Sequence, residues 1–161
     1  MAEPARRELV PGEYWFDELA VGDHFVTSAV NVTESHIVNF AGISGDLFDV
    51  HMDDEFARNL GFPGRIAHGL LGLALTDGLK TRCQVRTKSV ATLNWNWSFV
   101  APIFIGDRIQ VHLEVKALRL TKRGDRGIVT LGIQTKKQDN SVVQEGETLL
   151  LVLAKSSQQK F

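Results

Sequence analysis

Two pairs of residues in this chain have types and spacing suited to proton transfer. Asp46 and His51 stand five positions apart in a segment preceded by Gly45. A carboxylate and an imidazole so spaced converge on one water molecule when the intervening loop bends back. Histidine has the intrinsic pKa for proton exchange near neutrality, and the carboxylate can orient it or take a proton itself. The second pair, His68-Gly69, directly precedes an apolar run. If that run is a helix, its first backbone amides lack intrahelical acceptors, and glycine allows a substrate oxygen to approach them closely. The chemistry these positions predict is proton transfer coupled to negative charge developing on an oxygen.

Each residue also has a plainer reading. Asp46 alone would cap a turn, and Gly69 alone would permit tight packing at a helix start. His51 alone would be an ordinary loop histidine. His68 is expected to hold the loop or line a pocket rather than to move protons. A metal reading would start from His51-Met52-Asp53 and need a distant ligand such as His112. His112 falls on the polar face of an alternating strand and Asp53 is better placed as a helix cap, so no metal is expected. Trp95 and Trp97 lie on the apolar face of a strand and read as core. Cys83, with Arg82 and Arg86 nearby, is a lone thiol without an aligned base and reads as inert.

The elements that must position these groups follow from periodicity. A strand is expected over His24 to Val32, then a helix capped by Thr33, with Ile37, Phe40 and Ala41 on one face and Gly42 and Gly45 ending it. Asp53 caps a second short helix with Phe56, Ala57 and Leu60 inward, stopped by Gly61, Pro63 and Gly64. The third helix, Gly69 to Leu79, is apolar nearly all round and is expected to be enclosed. From Lys88 the period becomes two. Leu93, Trp95, Trp97 and Phe99 mark one strand, and Ile109, Val111, Leu113 and Val115 a second. Val129, Leu131 and Ile133 mark a third after Arg123-Gly124-Asp125. Gln138-Asp139-Asn140-Ser141 turns the chain into a fourth, Val142 to Leu153, with an interruption expected near Gly146. Helices followed by strands joined through short turns give an α+β fold with an antiparallel sheet.

The run Ser44-Gly45-Asp46 through His51, Asp53 and Phe56-Ala57, followed by Arg65-Ile66-Ala67-His68-Gly69, resembles the MaoC-like dehydratases and the (R)-specific enoyl-CoA hydratases. Phe99-Val100-Ala101-Pro102-Ile103 with Gly106-Asp107 resembles that family's strand, proline and Gly-Asp turn, and the likeness extends from about Tyr14 to Leu153. The resemblance implies a single hot-dog domain with a core of about 14–154, in which a curled antiparallel sheet wraps a central apolar helix. It implies reversible hydration of a trans-2-enoyl-CoA, with Asp46 and His51 as the catalytic dyad and the Gly69 amide binding the thioester oxygen. It implies a homodimer, with coenzyme A belonging to the substrate and no cofactor. Family members commonly carry Asn and Pro where this chain has Phe48 and Asp49. Phe48 is therefore expected to shape or shorten the acyl pocket, and Asp49 either to compete for His51 or to meet a polar substrate. His68 and Asp77 are also assigned to the substrate pocket. Lys80, Arg82, Arg86 and Lys88 read as a solvated run, with contact to coenzyme A phosphates as the alternative. Two rival functions are a hot-dog acyl-CoA thioesterase, which would not need the Asp/His pair, and a non-catalytic acyl-CoA-binding or structural subunit.

Composition bounds these readings. The chain has 161 residues, 43% hydrophobic and 23% charged, which suits one soluble domain able to bury a core without staples. Eighteen basic against nineteen acidic residues leave a net charge of -1, so no field favours nucleic acid or an anionic membrane. The single cysteine permits no internal disulfide, and the polar start from Met1 to Gly12 has no apolar run of the kind a signal peptide needs. A cytoplasmic location is expected. The last residues, Lys155 to Phe161, read as a fraying tail.

Overall fold

The hairpin sequences close as their turn residues require. In the computed structural model, which describes residues 6–160, Gly124 takes φ 70° and Asn140 φ 65°, left-handed conformations that glycine and asparagine tolerate. These turns connect β5 (Arg108–Leu120), β6 (Arg126–Lys136) and β7 (Val142–Leu153). With β2 (His24–Asn31) and β4 (Ser89–Phe99) they form a five-stranded antiparallel sheet in the order β2-β5-β6-β7-β4. Two short strands, β1 (Gly12–Tyr14) and β3 (Val85–Thr87), pair in parallel beside it. The alternation expected along β5 and β6 is present. Ile109, Val111, Leu113 and Val115 are buried, as are Val129, Leu131 and Ile133, and together they supply much of one core cluster.

The helices lie against that core. Thr33 caps α1 (Glu34–Ser44), which runs through Gly42 and stops only at Gly45, whose φ of 77° ends it. Gly42 alone does not end a helix, because glycine within a helix costs only about 1 kcal/mol. Asp53 Oδ1 accepts the Glu55 and Phe56 amides at 2.7 and 3.1 Å and so caps α3 (Asp54–Asn59). Leu60, expected inward, is exposed because it follows the last turn. Helix α4 (Gly69–Thr81) buries Leu71, Gly72, Thr76 and Leu79. Thr76 Oγ1 lies 2.7 Å from Thr135 Oγ1 on β6 and donates to the Gly72 carbonyl at 2.9 Å, so a polar residue is accommodated in the core. This sheet curled about one helix is the hot-dog arrangement.

Four expectations need correction. Helix α4 is not enclosed in the single chain, since Leu70 is 61% exposed. The sheet covers only one flank of it. Strand β4 is an edge, and Leu93 and Phe99 on it are exposed rather than half-buried. Strand β7 passes through Gly146 without interruption. A Cβ there would stand 2.1 Å from the Asn96 carbonyl oxygen, so glycine answers the close approach of β4. The start of the expected tail, Lys155 to Ser157, is docked instead of frayed: Lys155 N donates to Asp17 at 2.7 Å, its Nζ pairs with Glu18 at 2.8 Å, and Ser157 is buried. The start of the chain through Ala5, and Phe161, lie outside the described residues. Among the described residues no helix is long and apolar enough to cross a membrane.

Candidate active site

Three consecutive turns of chain bring the acid and the imidazoles together. Gly45 N donates back to Ala41 at 2.8 Å and releases the chain into a bend, where Asp46 Oδ1 accepts the Phe48 amide at 3.3 Å. A single helical turn follows, α2 (Asp49–Met52), which carries His51. Four residues are too few to show a helical period, so the sequence gives this turn no signal. Beyond α3, Ile66 N donates to Val50 O at 3.2 Å and Ala67 N to Ile103 O at 2.8 Å. These bonds lay the residues before α4 between α2 and the β4–β5 connection. The helix then starts at Gly69, directly after His68.

Hydrogen bonding fixes the state of each imidazole. His51 Nδ1 lies 2.8 Å from the Ile66 carbonyl oxygen. A carbonyl can only accept, so Nδ1 carries a proton, and in the neutral ring Nε2 keeps its lone pair. His68 Nε2 lies 2.9 Å from the Asp46 carbonyl oxygen, which makes it the donor and ties His68 to the backbone of the dyad carboxylate. The two rings stack with centroids 3.9 Å apart. Burial is the largest influence on His51 and lowers its pKa below the ordinary imidazole value. The neighbouring His68 acts in the same direction, and together they outweigh the opposing pull of the Ile66 bond and the Asp46 charge. A neutral imidazole with a free Nε2 is the form that accepts a proton.

A carboxylate oxygen of Asp46 and one ring nitrogen from each of His51 and His68 lie within 4.8 Å of one another. Three such atoms can surround a single small species, whether a water molecule or a cation. The metal set considered from sequence is not assembled, because Asp53 caps α3 and His112 sits on β5 beside a different cleft.

The cleft holding the trio measures about 480 Å³ and is lined by Asp46, His51, His68, Gly69, Phe99 and Gln144, among others. Gly69 N–H has no acceptor among the described residues. A Cβ on Gly69 would meet the Phe99 ring at 2.9 Å, so glycine leaves room where the ring already crowds the helix start. The structure thus brings Asp46, His51, His68 and Gly69 into one cavity. It does not bring in the other three candidates. Phe48 makes edge-to-face pairs with His51 and Phe56, with ring centroids 6.3 and 5.9 Å away, and is otherwise exposed. Asp49 is exposed at the first position of α2. Asp77 lies two turns along α4, pairs with Lys80 at 2.8 Å and lines a separate cleft of about 300 Å³.

Among the described residues, two of the four basic residues near β3 have acidic partners. Lys80 pairs with Asp77 and lies 5.3 Å over the Trp95 ring, and Lys88 pairs with Glu13.

Sequence reasoning missed Gln144. It is 2% exposed, and both ends of its amide are bonded within the cleft wall. Its position shares parity with Thr148, Leu150 and Val152, all buried, so a strict period-two reading of β7 places a glutamine on the core face. That was the available signal.

Comparison with known proteins points the same way. The family model described as "MaoC like domain" matches residues 18–137. The chain is 32% identical over 139 residues to the 3-hydroxybutyryl-CoA dehydratase of Methylorubrum extorquens, covering 86% of this chain and 83% of that protein. It is 37% identical over 106 residues to Protein MaoC of Klebsiella aerogenes, of which it spans only 32%. Among solved structures, the MaoC-like dehydratase from Rhodospirillum rubrum superposes with a TM-score of 0.79 at 30% identity, over 88% of this chain and 98% of that one.

Proposed function

Because the chain belongs to the MaoC-like dehydratase family, we propose that it is a hydro-lyase that reversibly adds water to a trans-2-enoyl-CoA. The observation that carries this reading is the meeting in one cleft of Asp46, His51 and a Gly69 amide that has no acceptor among the described residues. Hydration needs a base for the water, a proton for C2, and a donor for the enolate oxygen. A water held between Asp46 and His51 bonds through its oxygen to C3 while the dyad takes one of its protons. Electron density moves from the C2–C3 double bond onto the thioester oxygen, which receives the Gly69 N–H at the positive end of α4. The dyad then returns a proton to C2 as the enolate collapses, so no net proton is retained. Each contribution is of the size, about 10²-fold or more in rate, that positioned acid–base groups and oxyanion donors supply. Coenzyme A is part of the substrate in this scheme, and the reaction calls for no further cofactor.

The same reading includes a homodimer. Strand β4 pairs with β7 along one edge only, and its other edge is long and carries exposed Val90, Leu93 and Phe99 beside the uncovered flank of α4. An unpaired apolar edge of this length invites a second copy. Phe48, Asp49 and Asp77 have no substrate contact in the scheme, since none lines the cleft.

The test is hydration of crotonyl-CoA, followed as loss of the conjugated-thioester absorbance, with wild type and His51→Ala side by side. Turnover by wild type that falls at least ~10²-fold in a folded His51→Ala variant supports the reading. Release of free thiol without hydration would instead indicate a thioesterase. A folded wild type that neither hydrates nor hydrolyses would indicate a subunit without chemistry.

A further inference from the structure

Gln144 of β7 lies in register with Phe99 of β4 and reaches across to the first turn of α4. Trp97 Nε1–H donates to its Oε1 at 3.1 Å, and its Nε2–H donates to the Gly69 carbonyl at 3.0 Å. An indole N–H only donates and a carbonyl only accepts, so the amide has one possible orientation. The seat is close: a Cβ on Gly72 would stand 2.1 Å from the Gln144 Nε2. The peptide whose carbonyl Gln144 holds is the one joining Gly69 to Leu70, and its other end is the Leu70 N–H. Among the described residues neither the Gly69 nor the Leu70 N–H has an acceptor, and both residues line the cleft of the dyad.

We propose that Gln144 is a positioning residue for the oxyanion, which fixes the Gly69–Leu70 peptide so that Leu70 N–H serves as a second donor beside Gly69 N–H. A hydrogen bond accepted at the carbonyl end of a peptide polarises the group and strengthens the N–H at its other end. The Trp97 bond holds the amide so that it cannot rotate away when charge develops nearby. The donors are thereby set before the reaction and need no rearrangement during it, which is the condition under which such dipoles lower a barrier. This proposal rests on the thioester reading given above.

The test uses butyryl-CoA, a saturated thioester that binds but cannot be hydrated, labelled with ¹³C at the carbonyl and observed by difference infrared spectroscopy. Bound to wild type, its carbonyl stretch is expected to shift to lower frequency, and in Gln144→Leu by no more than about half as much. In crotonyl-CoA hydration the same variant is expected to lose about tenfold in kcat with KM changed less than about twofold, the pattern of an interaction made mainly in the transition state. Trp97→Phe leaves Gln144 in place but frees its Oε1, and is expected to give a smaller loss of the same kind should Gln144→Leu fail to fold. A carbonyl shift and kcat left at wild-type values in a variant with lowered Tm would reduce Gln144 to a structural clamp and overturn the proposal. Failure of wild type to bind butyryl-CoA at all would overturn the thioester reading itself, and the proposal with it.

Discussion

Replacement of Gly72 by alanine tests the packing of α4 on Gln144 directly. The new methyl would sit 2.1 Å from Gln144 Nε2 and 2.8 Å from its Cδ, so the amide must leave its seat. Its departure removes two hydrogen bonds worth about 1 kcal/mol each and leaves the Trp97 N–H without its acceptor, at a further ~1 kcal/mol or more. Alanine in place of a helical glycine returns about 1 kcal/mol. The net loss is therefore about 2 kcal/mol, or a Tm lower by about 4–8 °C for a chain of this size. In a Gln144→Ala background the obstacle is gone and only the helix preference remains, so Gly72→Ala should there stabilise by up to about 1 kcal/mol. Urea unfolding of the wild type, both single variants and the double variant gives all four corners of the cycle. The reasoning is refuted if Gly72→Ala costs the same in both backgrounds, since the amide would then not be what it meets.

Four further outcomes are expected. The depressed pKa of His51, due first to burial, places the acid limb of kcat/KM below the ordinary imidazole value; Asp46→Asn removes a charge that favours the imidazolium and should move the limb of any residual activity lower still. His51 and His112 are both depressed chiefly by burial, so each binds protons more readily when unfolded. Their contribution to stability is fully present above the ordinary imidazole value and is lost as pH falls from there through the depressed folded values, a slope that urea midpoints between about pH 7 and pH 5 should show and His112→Gln should reduce. Gly146→Ala should destabilise more than Gly72→Ala in the same urea assay, because its methyl meets the Asn96 backbone carbonyl rather than a side chain able to move. Leu93→Lys on the open edge of β4 should shift sedimentation towards the monomer without changing the secondary-structure spectrum of the chain.

Much of this architecture is legible without coordinates, for identifiable reasons. The acid and the imidazole declare themselves only together with Ile66-Ala67-His68-Gly69 downstream, either part alone being a weak signal, and Gly69 because a helix start follows it. The strands of the second half are long enough for a period of two to stand out, and the turn residues between them are chemically specific. What escapes is set by contacts distant in sequence. Gln144 matters through Trp97, 47 positions away, and Gly69, 75 away, and no local pattern encodes either bond. The open flank of α4 escapes for a similar reason: an apolar helix says that it must be covered, but not whether its own chain covers it. Asp77 reads as a pocket residue from its helix, yet its position along α4 decides which of two clefts it reaches.

Both imidazole donors in the site end on main-chain carbonyls, those of Ile66 and Asp46, and not on side chains. No substitution elsewhere in the bend or in α2 can delete either acceptor, because every residue type brings the same carbonyl. The tautomers of His51 and His68 are thus insulated from changes at neighbouring positions such as Phe48, Asp49 and Met52. Substitution at those three positions leaves both acceptor atoms in the chain. The aromatic ring of Phe48 and the acid of Asp49, between Asp46 and His51, therefore leave both of these anchors in place.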